Sequence, residues 1–299
     1  MVLYNDLCVY NTTKYDGKPG VPLSNYHDRT ESDIMAVEPR LAATVMLLRD
    51  VDAQGRRGIE VFMVRRVVQS EFLPDLYVFP GGSTAADDRS VEQTSGLCRP
   101  IQPSSADPEG RTVLGSGVRT AAIRELFEEA NVLLAYRDDA LLAIREDQIA
   151  RFASYRQAFN ERKGSLLEMA RAEHLTFATD RLAYFAHWIT PEGLPKRYDT
   201  HFFLATAPAE QEALYDQLET SDGVWIQPSE ALTRSQSGDF PVAFPTFHQL
   251  RALVEFDNVQ DVLNAAATRY VTVQIPHLVE QDGQREVYLP NESEQHWKV

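Results

Sequence analysis

Cysteine is scarce in this chain: 299 residues contain two, Cys8 and Cys98. That excludes a disulfide framework and makes a reducing, cytoplasmic compartment the expectation. Long apolar runs are missing too, and nothing approaches the roughly 18 residues that a membrane helix needs. The first residues, MVLYNDLCVYNTTKYDG, lack a basic stretch followed by an apolar core, so no signal peptide is expected. The final HWKV is not a peroxisomal address of the Ser-Lys-Leu type. Basic residues are outnumbered, 29 Lys and Arg against 44 Asp and Glu, for a formal net charge of -15. That balance argues against nucleic acid or a membrane surface as partner. An anionic substrate would need cations, or local Arg and Lys, at its site. There is no internal repeat, and no regular βαβ alternation of a doubly wound sheet.

What remains is ordinary soluble-protein material. At 43% hydrophobic and 24% charged residues, the chain can bury a sizeable core in one large domain or two small ones. Residues 1–37 are polar and turn-rich and read as an arm. LAATVMLLRDV (41–51) and GIEVFMVRRV (58–67) read as strands joined by a turn, which is a hairpin signal. LYVFPGG (76–82) reads as a short strand stopped by Pro80, with Gly81 and Gly82 opening unusual backbone geometry. Residues 83–117 are rich in Ser, Asp, Pro and Gly and read as a long surface loop. A helix is expected over 118–135 and a second helical stretch over 146–173. LAYFAHWIT (182–190), DTHFFLATA (199–207) and GVWIQP (223–228) read as strands. Ser229 is expected to cap a helix. Helices at 245–256 and 258–268 and a hairpin within 270–290 complete the reading, a mixed α/β protein. Two basic residues, Arg65 and Arg66, end the second strand, placed either to meet a phosphate or as edge charges.

The chemistry concentrates in RELFEEANVLL, Arg124 to Leu134. Residues three and four apart share a helix face, so Glu125, Glu128 and Glu129 converge, with only Arg124 nearby as a cation. Like charges at that spacing repel. Two readings stand at this point: a solvated acidic stripe, or carboxylates held together around an oxygen-loving dication such as Mg²⁺ or Mn²⁺.

The surrounding motifs resemble those of the Nudix hydrolases, whose box reads G-x5-E-x7-R-E-U-x-E-E-x-G-U, with U aliphatic. Arg124, Glu125, Leu126, Glu128, Glu129 and Val132 match its second half. With Gly82 as the first glycine, Asp88 occupies the position of the first glutamate. Asp88 and Arg124 are then 36 positions apart where the box has 8, an insertion of about 28 residues. Read without the insertion, Ser116 would take the glutamate position. VFPGG (78–82), the long insert, the box, and HWITPEGLPKRYDTHFFLA (187–205) together are similar to the branch of peroxisomal-type coenzyme A diphosphatases. Asn131 stands where the pattern has glycine, just past the helix end, a position that favours a left-handed backbone tolerated by Asn.

The resemblance implies an α/β/α sandwich around a mixed sheet with helical additions. Its landmarks span roughly 40–250, and with the element reading the chain divides into an arm (1–37) and a hydrolase domain (38–299). That domain carries an insertion in the box (83–117), a helical insertion (146–173) and a C-terminal hairpin (270–290). It implies metal-dependent hydrolysis of a nucleoside-diphosphate-linked small molecule, with coenzyme A or acyl-coenzyme A favoured. ADP-ribose or another nucleotide derivative is the alternative, and a non-catalytic nucleotide-binding module the second. Glu125, Glu128 and Glu129 are the expected ligands of Mg²⁺ or Mn²⁺. Glu128 and Arg124 form the expected catalytic set, Arg124 by orienting a box glutamate. Substrate contacts are expected from Arg65, Arg66, Gly82 and Arg197. His187 and His201 read as core or surface histidines, Trp188 and Trp225 as core. A homodimer is left open, with 146–173 or 270–290 as the contact.

Overall fold

The computed structural model describes residues 37–53, 56–70, 73–101, 115–281, 283–292 and 296–298. The expected N-terminal arm, apart from Val37, and the middle of the insertion lie outside the described residues.

The chain opens with β1 (Arg40–Ala53) and β2 (Arg56–Arg66), paired antiparallel from Leu48↔Val61 to Ala53↔Arg56. β3 (Tyr77–Val78) lies on β2, and β4 (Gly81–Ser83) lies on the first half of β1. The step between them is Pro80, whose carbonyl accepts the amide of Val45. α1 (Ala86–Gln93) follows at once. The Ser/Asp/Pro-rich segment is therefore not loop from its start: Asp88 caps its own helix from the third position, accepting the Ala85 amide at 2.7 Å. α2 (Val118–Ala130) comes next. A small sheet of β5 (Ala135–Arg137), β6 (Ala140–Leu141) and β7 (Thr176–Phe177) brackets α3 (Ile149–Asn160) and α4 (Leu166–Glu173). The stretch 146–173 is thus two helices rather than one, broken where Arg162 takes φ 57° and Gly164 packs against Phe159.

β8 (Ala183–Ile189), β9 (Tyr198–Thr206) and β10 (Thr220–Ile226) complete most of the main sheet. Its order is β10-β2-β1-β9-β8, closed by β11 (Val273–Gln274). β1 runs parallel to β9, and β8 to β11; the other pairs are antiparallel, so the sheet is mixed. α5 (Pro228–Ser237), α6 (Phe244–Leu253) and α7 (Val259–Thr268) follow β10. Ser229 is not the cap of α5. Gln227 is, because Pro228 takes the first helical position, where its fixed φ suits the helix and its missing N–H has no partner to lose. A second small sheet, β12 (His277–Gln281), β13 (Gln284–Tyr288) and β14 (Trp297–Lys298), ends the described chain.

Alternation along the strands makes the sandwich. Ala43, Val45, Leu47, Phe62, Val64 and Phe203 face one way and pack with Ile123, Leu126 and Phe127 of α2. Met46, Leu48, Val61, Met63, Phe202 and Leu204 face the other way and pack with Leu250, Leu253 and Val262 of α6 and α7. The sheet is buried on both faces, which is why β1 reads as a nearly continuous apolar run. No helix among the described residues is long and apolar enough to cross a membrane.

Candidate active site and metal centre

α2 lies against β1 and β4 because its apolar positions, Ile123, Leu126, Phe127 and Ala130, are fully buried there. That packing turns Glu125 and Glu129 toward β4. The close approach needs glycine: a Cβ on Gly82 would stand 2.4 Å from Glu125 Oε1, and one on Gly81 would stand 2.4 Å from the carbonyl of Ala43. Gly81 contributes further, its amide donating to Glu129 Oε2 at 2.9 Å. The helix stops at Asn131, which takes φ 60°, ψ 17° and returns its amide to the carbonyl of Phe127. Asparagine supplies the left-handed turn at modest cost.

Arg124 is the hub. Its Nε and Nη2 donate to the two oxygens of Asp88, at 2.9 and 3.0 Å. Nη2 also reaches the carbonyl of Ser83 at 2.8 Å. Nη1 donates to Glu125 Oε1 at 2.7 Å and to Glu128 Oε1 at 3.0 Å. One planar fork thereby joins α1, β4 and two box glutamates. Asp88 is fully buried, and its backbone carbonyl accepts the Thr120 hydroxyl at 2.7 Å. Its neighbour Asp87 turns the other way and accepts the Leu166 amide at the start of α4, at 2.6 Å. The two neighbouring aspartates therefore serve different helices, Asp88 the Arg124 side of α2 and Asp87 the start of α4.

The electrostatics are short of positive charge. Burial pushes the carboxyl of Glu125 up, against the pull of Arg124. Burial and then the charge of Glu125 raise Glu128 to about 7. Glu129 is raised well above the ordinary glutamate range by burial and Glu125, with Arg66 and the Gly81 amide opposing. All three are displaced the same way, as expected when more carboxylates are gathered than the available cations neutralise. The donor set is all oxygen and carried by a helix whose apolar face is buried, which suits a hard dication.

The other expected contacts are divided. Arg66 reaches the cluster, its Nη1 3.7 Å from Glu129 Oε1. Arg65 turns aside to Asp75 at 2.8 Å and lies over the ring of Tyr77. Arg197 is not gathered with them. It is 8% exposed, and its guanidinium is occupied by the carbonyls of Thr190 and Val37 at 2.9 and 2.8 Å. Those bonds tie the turn before β9 to the residues that precede β1. Two residues were missed in the sequence. Arg156 of α3 donates to the backbone carbonyl of Glu128 at 2.9 Å, and Glu219, at the start of β10, adds its charge to Glu125 and Glu129. Neither lies in a motif; the turn-rich stretch ahead of β10 carries no signal that it returns to α2.

A family model described as the NUDT19 Nudix domain matches residues 98–253, more than half of the chain. The chain belongs to the Nudix family. Among curated relatives of this Nudix chain, the acyl-coenzyme A diphosphatase NUDT19 of Gallus gallus is 28% identical over 275 residues, covering 77% of this chain and 72% of that protein. The protein of the same name from Xenopus laevis is 23% identical over 234 residues, covering 68% of this chain and 62% of that protein. Of solved structures, a Nudix hydrolase from Alicyclobacillus acidocaldarius superposes with a TM-score of 0.62 at 26% identity, covering 79% of this chain and 98% of that one. The Nudix α/β/α architecture is thus supported by structure as well as by sequence.

Proposed function

We propose that this Nudix chain is a metal-dependent diphosphatase acting on coenzyme A or acyl-coenzyme A. The observation that carries it is that Glu125 and Glu128 share Arg124 Nη1 while Glu129, one turn on from Glu125, is held by the Gly81 amide, all three with raised proton affinity. Such a set is costly unless a dication shares the site. Glu125, Glu128 and Glu129 would hold Mg²⁺ or Mn²⁺. The bound ion would supply charge neutralisation of the diphosphate oxygens and a more acidic water.

This chain's own residues supply the rest. Glu128, held by Arg124 Nη1 at 3.0 Å, would act as the general base toward the attacking water, ionised once a dication shares the site. Arg124 fixes the carboxylates of Glu125 and Glu128 from behind. Gly82 lets the backbone of β4 approach the carboxylates closely, and Arg66 stands at the cluster's edge as the cation available to a phosphate. Water adds to one phosphorus of the diphosphate, and the bridging oxygen leaves with the other. An acidic chain can accept an anionic substrate in this way because cations stand between them. The substrate class rests on the names of the relatives, and ADP-ribose is the second candidate. The cytoplasm is the compartment that fits a chain with two cysteines.

A panel of coenzyme A, acyl-coenzyme A, ADP-ribose and dinucleoside polyphosphates, assayed with Mg²⁺ or Mn²⁺, tests this reading. Wild type is expected to cleave coenzyme A compounds, and Glu128→Gln to lose roughly 10²- to 10⁴-fold in kcat. Equal inactivity of both on every compound would overturn the enzyme assignment. Cleavage of ADP-ribose with coenzyme A untouched would overturn only the substrate.

A further inference from the structure

A second group of donors lies across the sheet from Gly82. Antiparallel pairing sets His187 of β8 opposite His201 of β9, and Asp199, two residues before His201, shares its face. The two imidazoles stack with centroids 4.1 Å apart. His187 Nε2 is hydrogen-bonded to Asp199 Oδ1, and His201 Nε2 stands 3.5 Å from the same oxygen. One donor atom from each residue falls within 4.8 Å of the others.

The surroundings suit ligation. His201 Nδ1 lies 2.9 Å from the Tyr184 hydroxyl. An N–H at Nδ1 donating to that oxygen leaves the Nε2 lone pair directed at Asp199 and His187, the outer-sphere arrangement typical of metal-bound histidine. Burial, then the neighbouring His187, depress His201 to about 4, so its imidazole is neutral. His187 and Asp199 keep 12% and 27% of their side chains exposed, which leaves an ion a path in and room for water.

The register separates this group from the carboxylates. Gly82 pairs with Ala43, Ala43 with His201, and His201 with His187. Laterally paired residues point to the same face, here the face covered by α2. At the ordinary strand spacing His201 is roughly 10 Å from Gly82 and His187 roughly 14 Å. The two groups share no residue.

We propose that His187, Asp199 and His201 form a second metal site, selective for a transition-metal dication of the Zn²⁺ class. Two imidazoles and one carboxylate favour Zn²⁺ or Co²⁺ over Mg²⁺, whereas the all-oxygen set of α2 favours the reverse. Donors around one such ion stand farther apart than a hydrogen-bonded pair, so the ion replaces the His187–Asp199 hydrogen bond. The proton that His187 Nε2 shares with Asp199 is replaced, through exchange with solvent, by one on the ring's Nδ1, and lone pairs of His187 Nε2, Asp199 Oδ1 and His201 Nε2 go to the metal, with no change of oxidation state. Water completes the coordination.

The test uses Co²⁺ as a spectroscopic stand-in for Zn²⁺. The full chain, stripped by chelator and held in saturating Mg²⁺, is titrated with Co²⁺. One equivalent is expected to give visible d–d absorption that Zn²⁺ abolishes. The band is expected to persist in Glu128→Gln. It should be lost, with binding weakened roughly tenfold or more, in His187→Ala and separately in Asp199→Asn, both at partly exposed positions and each checked for fold by circular dichroism. Absence of a stoichiometric band in wild type would overturn the site. So would a band that survives in both His187→Ala and Asp199→Asn, or one that disappears in Glu128→Gln.

Discussion

Arg124 and Asp88 are 36 residues apart in sequence and bound to each other by two hydrogen bonds, Nε to Oδ1 at 2.9 Å and Nη2 to Oδ2 at 3.0 Å. The pair closes the two ends of the insertion over α2. It places a buried carboxylate behind the guanidinium that orders Glu125 and Glu128. The extra residues therefore leave the cradle intact, because the contact they loop out of is made side chain to side chain.

Removing Asp88 should be costly. Asp88→Ala leaves Arg124, 12% exposed at its side chain, without two of its hydrogen bonds and with only Glu125 and Glu128 as counter-charges, and breaking a buried pair from one side costs up to about 3–5 kcal/mol. A fall of that size in chemical-denaturation stability is expected, together with loss of turnover. Asp88→Glu adds a methylene where exposure is 0%, and about 1–3 kcal/mol of overpacking is expected. A glutamate accommodated without loss would show that the shorter carboxylate is not a packing requirement.

Gly82→Ala separates activity from stability. The nearest atoms to the new methyl group are the carboxylate end of Glu125, at 2.4 Å, which can shift at the expense of its bond to Arg124. The melting temperature should change little, while metal affinity and kcat fall. Equal activity with an unchanged metal constant would show that Glu125 has no fixed place in the site.

The metal-free protein should lose stability as pH rises. Glu128 has an ordinary value of 4.5 and is raised to about 7 when folded, and Glu125 and Glu129 are shifted the same way. Between those values the folded state binds more protons than the unfolded state, so unfolding free energy falls with increasing pH. The stability is fully present below 4.5 and its Glu128 share is gone above about 7. Chelator-treated protein is expected to show a falling urea midpoint across that window. Saturating Mg²⁺, which prefers the ionised carboxylates, should raise the midpoint more at the upper end than at the lower. A flat profile without metal would contradict the crowded-carboxylate picture.

Arg197→Ala distinguishes a positioning role from substrate contact. Its hydrogen bonds to the Thr190 and Val37 carbonyls are partly buried, and losing them is expected to cost about 1–3 kcal/mol with KM unchanged in the folded fraction. Arg66→Ala should do the opposite, weakening substrate binding with little effect on the melting temperature. A KM increase confined to Arg197→Ala would return that residue to the substrate side.

The sequence by itself determined the alternating and continuous apolar runs of β1, β2, β8 and β9, the presence of α2, which stops at Asn131 and not at the expected 135, and the placing of Glu125, Glu128 and Glu129 on that one helix. These depend on periodicity and on backbone preferences of single residues, which are local. It missed the helix at Ala86–Gln93 because a Ser/Asp-rich composition also describes a loop, and it misplaced the cap of α5 because Pro228 was a stronger signal than Ser229. Tertiary structure alone decided that Asp88 belongs to Arg124 and Asp87 to α4, that Arg197 is occupied by backbone carbonyls, and that His187, Asp199 and His201 meet. Each of these depends on which elements pack side by side, which no local preference reports. For His187, Asp199 and His201 it is strand register that decides, and a shift of one residue between β8 and β9 would turn the two strands' side chains to opposite faces of the sheet.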